Sequence, residues 1–210
     1  YIEEDISVMP YRVCQAFLKG AQVYGASIFE HTKVLKIQKQ QDTFQIDTTL
    51  GMIKAKRVVI ATGAWSNPFF QQLGIEQQIT PVKGECIAVE GRSTFLKHTI
   101  FHDKYYIVPR NNGELVIGAT MEENDWSEHV SLDGMETLIQ KAKELFPGIG
   151  QMKMNAAWSG LRPQTFDQKP FIGFHPYDDA ILFATVHYRN GVLLAPATGE
   201  MIANFILNRT

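Results

Sequence analysis

Two arginines near the end of the chain sit among glycine, proline and apolar residues rather than among other charges. Arg162 lies in Ser159-Gly160-Leu161-Arg162-Pro163, and Arg189 in His187-Tyr188-Arg189-Asn190-Gly191. Both stand beside segments that read as buried strand or helix, where a guanidinium without a partner is costly to desolvate. An apolar segment that carries a fixed cation to a glycine-bounded turn has an anion to hold. The candidates are a substrate carboxylate, which matches the planar donor fork of arginine, and the phosphates or ring oxygens of a cofactor. Tyr106, in Tyr105-Tyr106-Ile107-Val108-Pro109, alternates on a strand so that its hydroxyl can enter the same cavity while Tyr105 faces away. Met121, after Gly118-Ala119-Thr120, fits a soft apolar wall. Taken singly, a tyrosine in a sheet is ordinary packing and a methionine an ordinary gap filler.

Other chemistries find no support in the residues. The six histidines lack acidic or cysteine companions at ligand spacing, so no metal centre is expected. Cys14 and Cys86 are far apart and read as two reduced thiols rather than a disulfide. No serine stands in a nucleophile elbow with a histidine and an acid. Chemistry must therefore come from a bound organic cofactor. A formal net charge of -2 gives no electrostatic case for nucleic acid or an anionic membrane. No leader of signal type opens the sequence. The apolar run Gly191 to Leu207 is broken by Pro196, Gly199, Glu200 and Asn204, so it reads as a buried helix and not a membrane span.

The elements that must position these residues alternate in character. With 45% hydrophobic and 20% charged residues over 210 positions, the chain can bury a sizeable core. Pro10 opens a helix that places Val13, Ala16, Phe17, Ala21 and Tyr24 on one apolar face and stops at Gly25; Ala26 to Phe29 reads as a short strand. Three alternating strands follow over residues 33–55, a β-meander. Val58 to Gly63 is continuously apolar, as in a parallel strand covered on both faces. It ends in the small turn Thr62-Gly63, where glycine permits close approach of a ligand. After a short helix from Asn67 to Leu73, strands at Val82 to Val89, Thr94 to Phe101, Tyr105 to Pro109 and Glu114 to Gly118 predict an antiparallel sheet. Ser131 caps a helix with the stripe Leu132, Met135, Leu138, Ile139, Ala142, Leu145 and Phe146. A strand from Met152 to Trp158 stops at Gly160. Pro170 to Gly173 and the apolar strand Ala180 to Ala184 return to the first character. Because Pro196 is tolerated only near a helix start, the last helix is expected to begin near Leu193 or Leu194, leaving Arg189 to Val192 as an amide-rich turn. The layout predicted is α/β plus α+β. A partial three-layer domain (1–77 and 170–210) encloses an antiparallel-sheet domain at 78–169.

In this order, Val58-Val-Ile-Ala-Thr-Gly-Ala-Trp65, Pro81-Val-Lys-Gly-Glu-Cys86, Tyr106-Ile-Val-Pro-Arg110, Gly118-Ala-Thr-Met121, Gly160-Leu-Arg-Pro163 and His187 to Gly199 resemble the flavin-dependent D-amino-acid oxidase superfamily. Within it, they are most similar to the bacterial glycine oxidases of thiamine biosynthesis. The resemblance implies non-covalent FAD in a cytoplasmic homotetramer. It implies oxidative deamination of glycine and other small amino acids or amines by hydride transfer to flavin. Dioxygen would be the acceptor and hydrogen peroxide, ammonia and the oxo acid the products. It assigns Arg162 to the substrate carboxylate with Tyr106 as companion, and Met121 to the cavity wall. Arg189, Asn190, Gly191, Val192 and Leu193 would lie by the flavin ring, and Val34, Thr62 and Gly63 on the cofactor side. Related oxidases or dehydrogenases of D-amino acids, sarcosine or proline are the alternative, and a non-catalytic packing domain is the alternative of another class. The family opens with a strand and glycine-rich loop that this sequence does not show. The 210 residues alone are therefore expected to hold FAD poorly and to be inactive.

Overall fold

The structure, a computed structural model, describes residues 6–90 and 96–207. Helix α1 (Pro10–Val23) begins on proline, whose fixed φ and missing donor suit a first turn. It ends where Gly25 (φ +92°) lets Gly25 N donate to Gln22 O and Ala26 N donate to Ala21 O, the paired bonds of a Schellman stop. The apolar face reads correctly but finds no cover: among the described residues none of α1 is buried. Residues 26–29 form no strand, because no described strand lies beside them to complete a ladder.

Strands β1 (Val34–Gln40), β2 (Thr43–Thr48) and β3 (Gly51–Ala55) form the expected antiparallel meander. Strand β4 (Val58–Ile60) is shorter than its apolar run, and Val59 is 37% exposed, so only one face is covered here. Helix α2 (Asn67–Gln72) follows, with Phe70 fully buried. Near the end of the chain, β11 (Phe171–His175) pairs antiparallel with β12 (Asp178–Thr185), and β12 runs parallel to β4 with Leu182 opposite Val59. Phe70, Phe171 and Phe183 stack edge to face or tilted at 5.0 to 5.2 Å and anchor one core with Phe44, Ile60 and Ile181.

The residues between build the larger sheet. Strand β5 (Thr80–Glu90) is central, followed by β6 (Ile100–His102), β7 (Tyr105–Pro109), β8 (Glu114–Gly118) and the short β9 (Glu122–Glu123). After helix α3 (Leu132–Leu145), β10 (Met154–Gln164) completes the order β10-β5-β8-β7-β6, with β9 pairing on β5. The strand expected from Thr94 thus starts at Ile100, and Thr94 and Phe95 lie outside the described residues. Ser131 caps α3 by accepting from Gly134 N at 3.0 Å. Leu138 and Ala142 face a second core with Ile87, Ile107 and Ile117, whereas Leu132, at the helix start and 85% exposed, overshoots the sheet edge. Helix α4 (Gly191–Leu207) starts earlier than expected, since the one bond that Pro196 forfeits lies close to the helix start. Expected to be buried, α4 hides only Thr198 and Ile202 among the described residues; it is apolar all round and the sheet covers one side only.

Strand β5 carries an ion pair on the face toward α3. Lys83 Nζ lies 3.0 Å from Glu85 Oε1 and 3.1 Å from Asp125 Oδ2, and donates to Ser127 Oγ. Glu85 accepts from Ser131 N at 2.9 Å, clamping the α3 start to the sheet. Burial opposes the charge on both groups, but the ionic hydrogen bonds prevail: Lys83 titrates above its ordinary value and Glu85 below. Glu85's contribution is therefore present above the ordinary carboxylate range and lost as pH falls through its lowered value. That of Lys83 is present below the ordinary lysine range and lost as pH rises through its raised value. Lys83→Met leaves Glu85 buried without its cation and is expected to cost about 3 kcal/mol in denaturant unfolding. An unchanged midpoint would show that the pair fixes nothing.

Candidate active site

The opposite face of β5 builds the site, because successive residues of a strand point to opposite sides. Gly84 stands where a Cβ would fall on the Arg162 guanidinium, and Gly118 where one would fall on the Tyr106 ring. Two strand glycines thus leave the hollows in which the two functional side chains lie. Arg162 corrects the sequence reading: it lies within β10, opposite Val82, not in a turn. Gly160 does not stop the strand, since it pairs with Gly84 and carries the ladder on to Gln164.

Arg162 Nη1 donates to Thr120 O at 3.3 Å. Thr120 is locked in turn, its Oγ1 accepting from Glu85 N at 2.9 Å and its N donating to Glu85 O at 3.3 Å. Tyr106 OH lies 3.6 Å from Cys86 Sγ. Burial, reinforced by Cys86, raises the Tyr106 phenol far above its ordinary value against the pull of Arg162 and Arg189, so it remains a neutral donor. Burial also pushes the Cys86 thiol up.

Arg189 arrives from the other sheet, in the turn between β12 and α4. Val186 (φ +62°) and Tyr188 (φ +50°) are both left-handed there, a costly conformation for a β-branched residue. Asn190 N donates to His187 O within the turn, while Leu194 N donates to Asn190 O and His187 Nε2 bonds Thr198 Oγ1 at 2.9 Å, so two contacts hold the turn against α4. Burial lowers the His187 pKa and keeps the ring neutral. The turn at Thr62-Gly63 lies alongside: Gly63 has φ +54°, and Gly63 O accepts from Ser66 Oγ and Thr185 Oγ1. Both turns leave the carboxyl ends of the parallel pair β4 and β12, where dinucleotides meet such sheets.

Tyr106, Met121, Arg162 and Arg189 line one cavity of about 190 Å³, together with Lys104, Ala119 and Tyr188. Val34, Thr62, Gly63, Asn190, Gly191, Val192 and Leu193 do not line it. Val34 packs on the first core, and Gly191 to Leu193 open α4, where first-turn amides have no helical acceptor. A strand glycine flanked by charges, as in Lys83-Gly84-Glu85, marks close approach and could have flagged Gly84. Nothing local announces Lys104 or Tyr188, which reach the cavity only through the hairpin and the turn. Cys14 and Cys86 are free, and no cluster of metal ligands exists among the described residues. No described helix is long and apolar enough to cross a membrane.

A mixed α/β frame that brings two guanidiniums and a phenol to one cavity beside a dinucleotide-type turn defines a class of flavoprotein. The profile of the family described as FAD dependent oxidoreductase matches residues 1–205, and the chain belongs to that family, whose cofactor is FAD. It is 49% identical over 207 residues to the glycine oxidase of Bacillus licheniformis, covering 99% of this chain and 56% of that protein. Against the glycine oxidase of Bacillus subtilis (strain 168) the identity is 49% over 209 residues, covering 100% of this chain and 57% of that protein. The crystal structure of glycine oxidase from Geobacillus kaustophilus superposes with a TM-score of 0.89 at 38% identity, over 92% of this chain and 53% of that one. The chain therefore spans little more than half the length of these relatives.

The residues present fit FAD. The amide-rich start of α4, the left-handed Gly63 turn and an uncompensated Arg189 are donors and cations suited to an electron-rich ring edge.

Proposed function

We propose that the intact protein, rather than these 210 residues alone, is a glycine oxidase, deaminating glycine and other small amino acids or amines with FAD and dioxygen. The observation that carries this reading is the meeting of Arg162, Arg189, Tyr106 and Met121 on one small cavity. Arg162 binds the substrate carboxylate through its donor fork, and Tyr106 donates its phenolic hydrogen to the same group. Met121 and Ala119 exclude water from the reacting carbon. Arg189 and the amides of Asn190 to Leu193 hold the flavin near its pyrimidine edge, with Thr62, Gly63 and the backbone near Val34 on the cofactor side. When bound, FAD supplies the acceptor for the hydride leaving the α-carbon, and its reoxidation by dioxygen gives hydrogen peroxide. The chain's own part is orientation and preorganised charge, since among the described residues no base suited to removing an α-proton lines the cavity. Residues 78–169 serve the substrate, and 1–77 with 170–210 the cofactor. A cytoplasmic homotetramer is the assembly and location that the family resemblance implies for it.

The test is anaerobic addition of glycine to the FAD-loaded intact protein, followed by air. Bleaching of the flavin and later peroxide, with glyoxylate and ammonia, is expected. No bleaching by glycine, sarcosine or D-alanine would overturn the reading.

A further inference from the structure

Three cationic residues line the cavity, and among the described residues no carboxylate does. Arg162 donates only to the Thr120 carbonyl, and Arg189 has no ion pair or hydrogen bond among the described residues. Lys104 Nζ rests 5.5 Å from the centroid of the Tyr105 ring, and among the described residues it has no ion pair. Its chain neighbour Asp103 is open to water and lies 3.7 Å from His102 Nε2 instead. In the reading proposed above, Arg162 takes the substrate carboxylate and Arg189 the flavin edge, so Lys104 is the cation left over.

We propose that Lys104 forms a second anion subsite of this cavity, so that amines carrying two carboxylates are preferred over uncharged counterparts of similar size. This inference rests on the oxidase reading for its chemistry but not for its binding. An excess of like charge around a small cavity raises the local concentration of anions and favours the ligand that neutralises more of it. The long stem of Lys104 lets the ammonium follow a carboxylate placed on the substrate nitrogen or on its side chain. A lysine on a hairpin tip also discriminates without disturbing the buried strands, because the turn absorbs its movement.

The test compares kcat/KM in the FAD-loaded holoenzyme for two matched pairs: N-carboxymethylglycine against N-ethylglycine, and D-aspartate against D-2-aminobutyrate. Lys104→Met is expected to lower the diacid-to-monoacid ratio by about tenfold for at least one pair, Lys104→Glu by more, and added salt to shrink the wild-type ratio. The pair that responds tells whether the second anion lies on the nitrogen or on the side chain. In parallel, malonate and acetate are titrated against the flavin absorbance, with malonate expected to lose its advantage in Lys104→Met. Ratios and the malonate preference both unaltered in Lys104→Met would overturn the subsite. If no amine bleaches the flavin, the oxidase reading fails, and the malonate titration alone still decides the subsite.

Discussion

Arg162→Ala is expected to lower kcat/KM for glycine about 1000-fold in the FAD-loaded protein, while the flavin remains bound. The guanidinium is half-buried over Gly84, and among the described residues its one hydrogen bond goes to a neutral carbonyl, which leaves donors for a carboxylate. Removing one member of a desolvated, hydrogen-bonded charge pair costs about 2–5 kcal/mol, and 1.4 kcal/mol is a factor of ten. Arg162→Lys keeps the charge but loses the planar fork, and should recover only part of the activity. Flavin content measured by absorbance separates the two sites: Arg162 belongs to the large sheet, not to the β4 and β12 turns. Undiminished turnover of glycine in Arg162→Ala would end the carboxylate assignment.

Gly84→Ala is expected to be nearly as severe, about 100-fold in kcat/KM, although it removes no functional group. The added methyl would occupy the position of the guanidinium, and Arg162 must move to admit it. Overpacking of this kind costs about 1–3 kcal/mol, and here the displaced group is the one that holds substrate. The backbone conformation at Gly84 suits any residue, so the strand should still form with its register to Gly160 intact. The loss should fall on KM and kcat together, with only a modest change in thermal midpoint. Wild-type kinetics in Gly84→Ala would mean that Arg162 works from another position.

Much of this arrangement was legible in the residues. Alternation of Phe44 and Ile46 and the Ser131 cap gave their elements closely, whereas the apolar run from Val58 gave a shorter strand covered on one face. Tyr106, Met121, Arg162 and Arg189 all line one cavity, but Arg162 reaches it from a strand and not from the glycine turn expected. What stayed hidden depends on contacts distant in sequence. Gly160 looks like a stop until Gly84 is seen opposite, and only then does Arg162 become a strand residue. The apolar faces of α1 and α4 imply burial, yet a face is buried only where something lies against it. Lys104 is an ordinary hairpin lysine until three-dimensional folding brings Tyr188 and Arg189 from the other sheet.

One strand separates the cavity from the charge network that holds α3, with Gly84 and Cys86 facing one way and Lys83 and Glu85 the other. Any change in that wall is felt on both sides, which makes it a poor place for substrate preference to drift. Variation among homologous oxidases should therefore concentrate at the rim, on the 102–105 hairpin and at Tyr188, where a side chain can be exchanged without loosening the helix behind it.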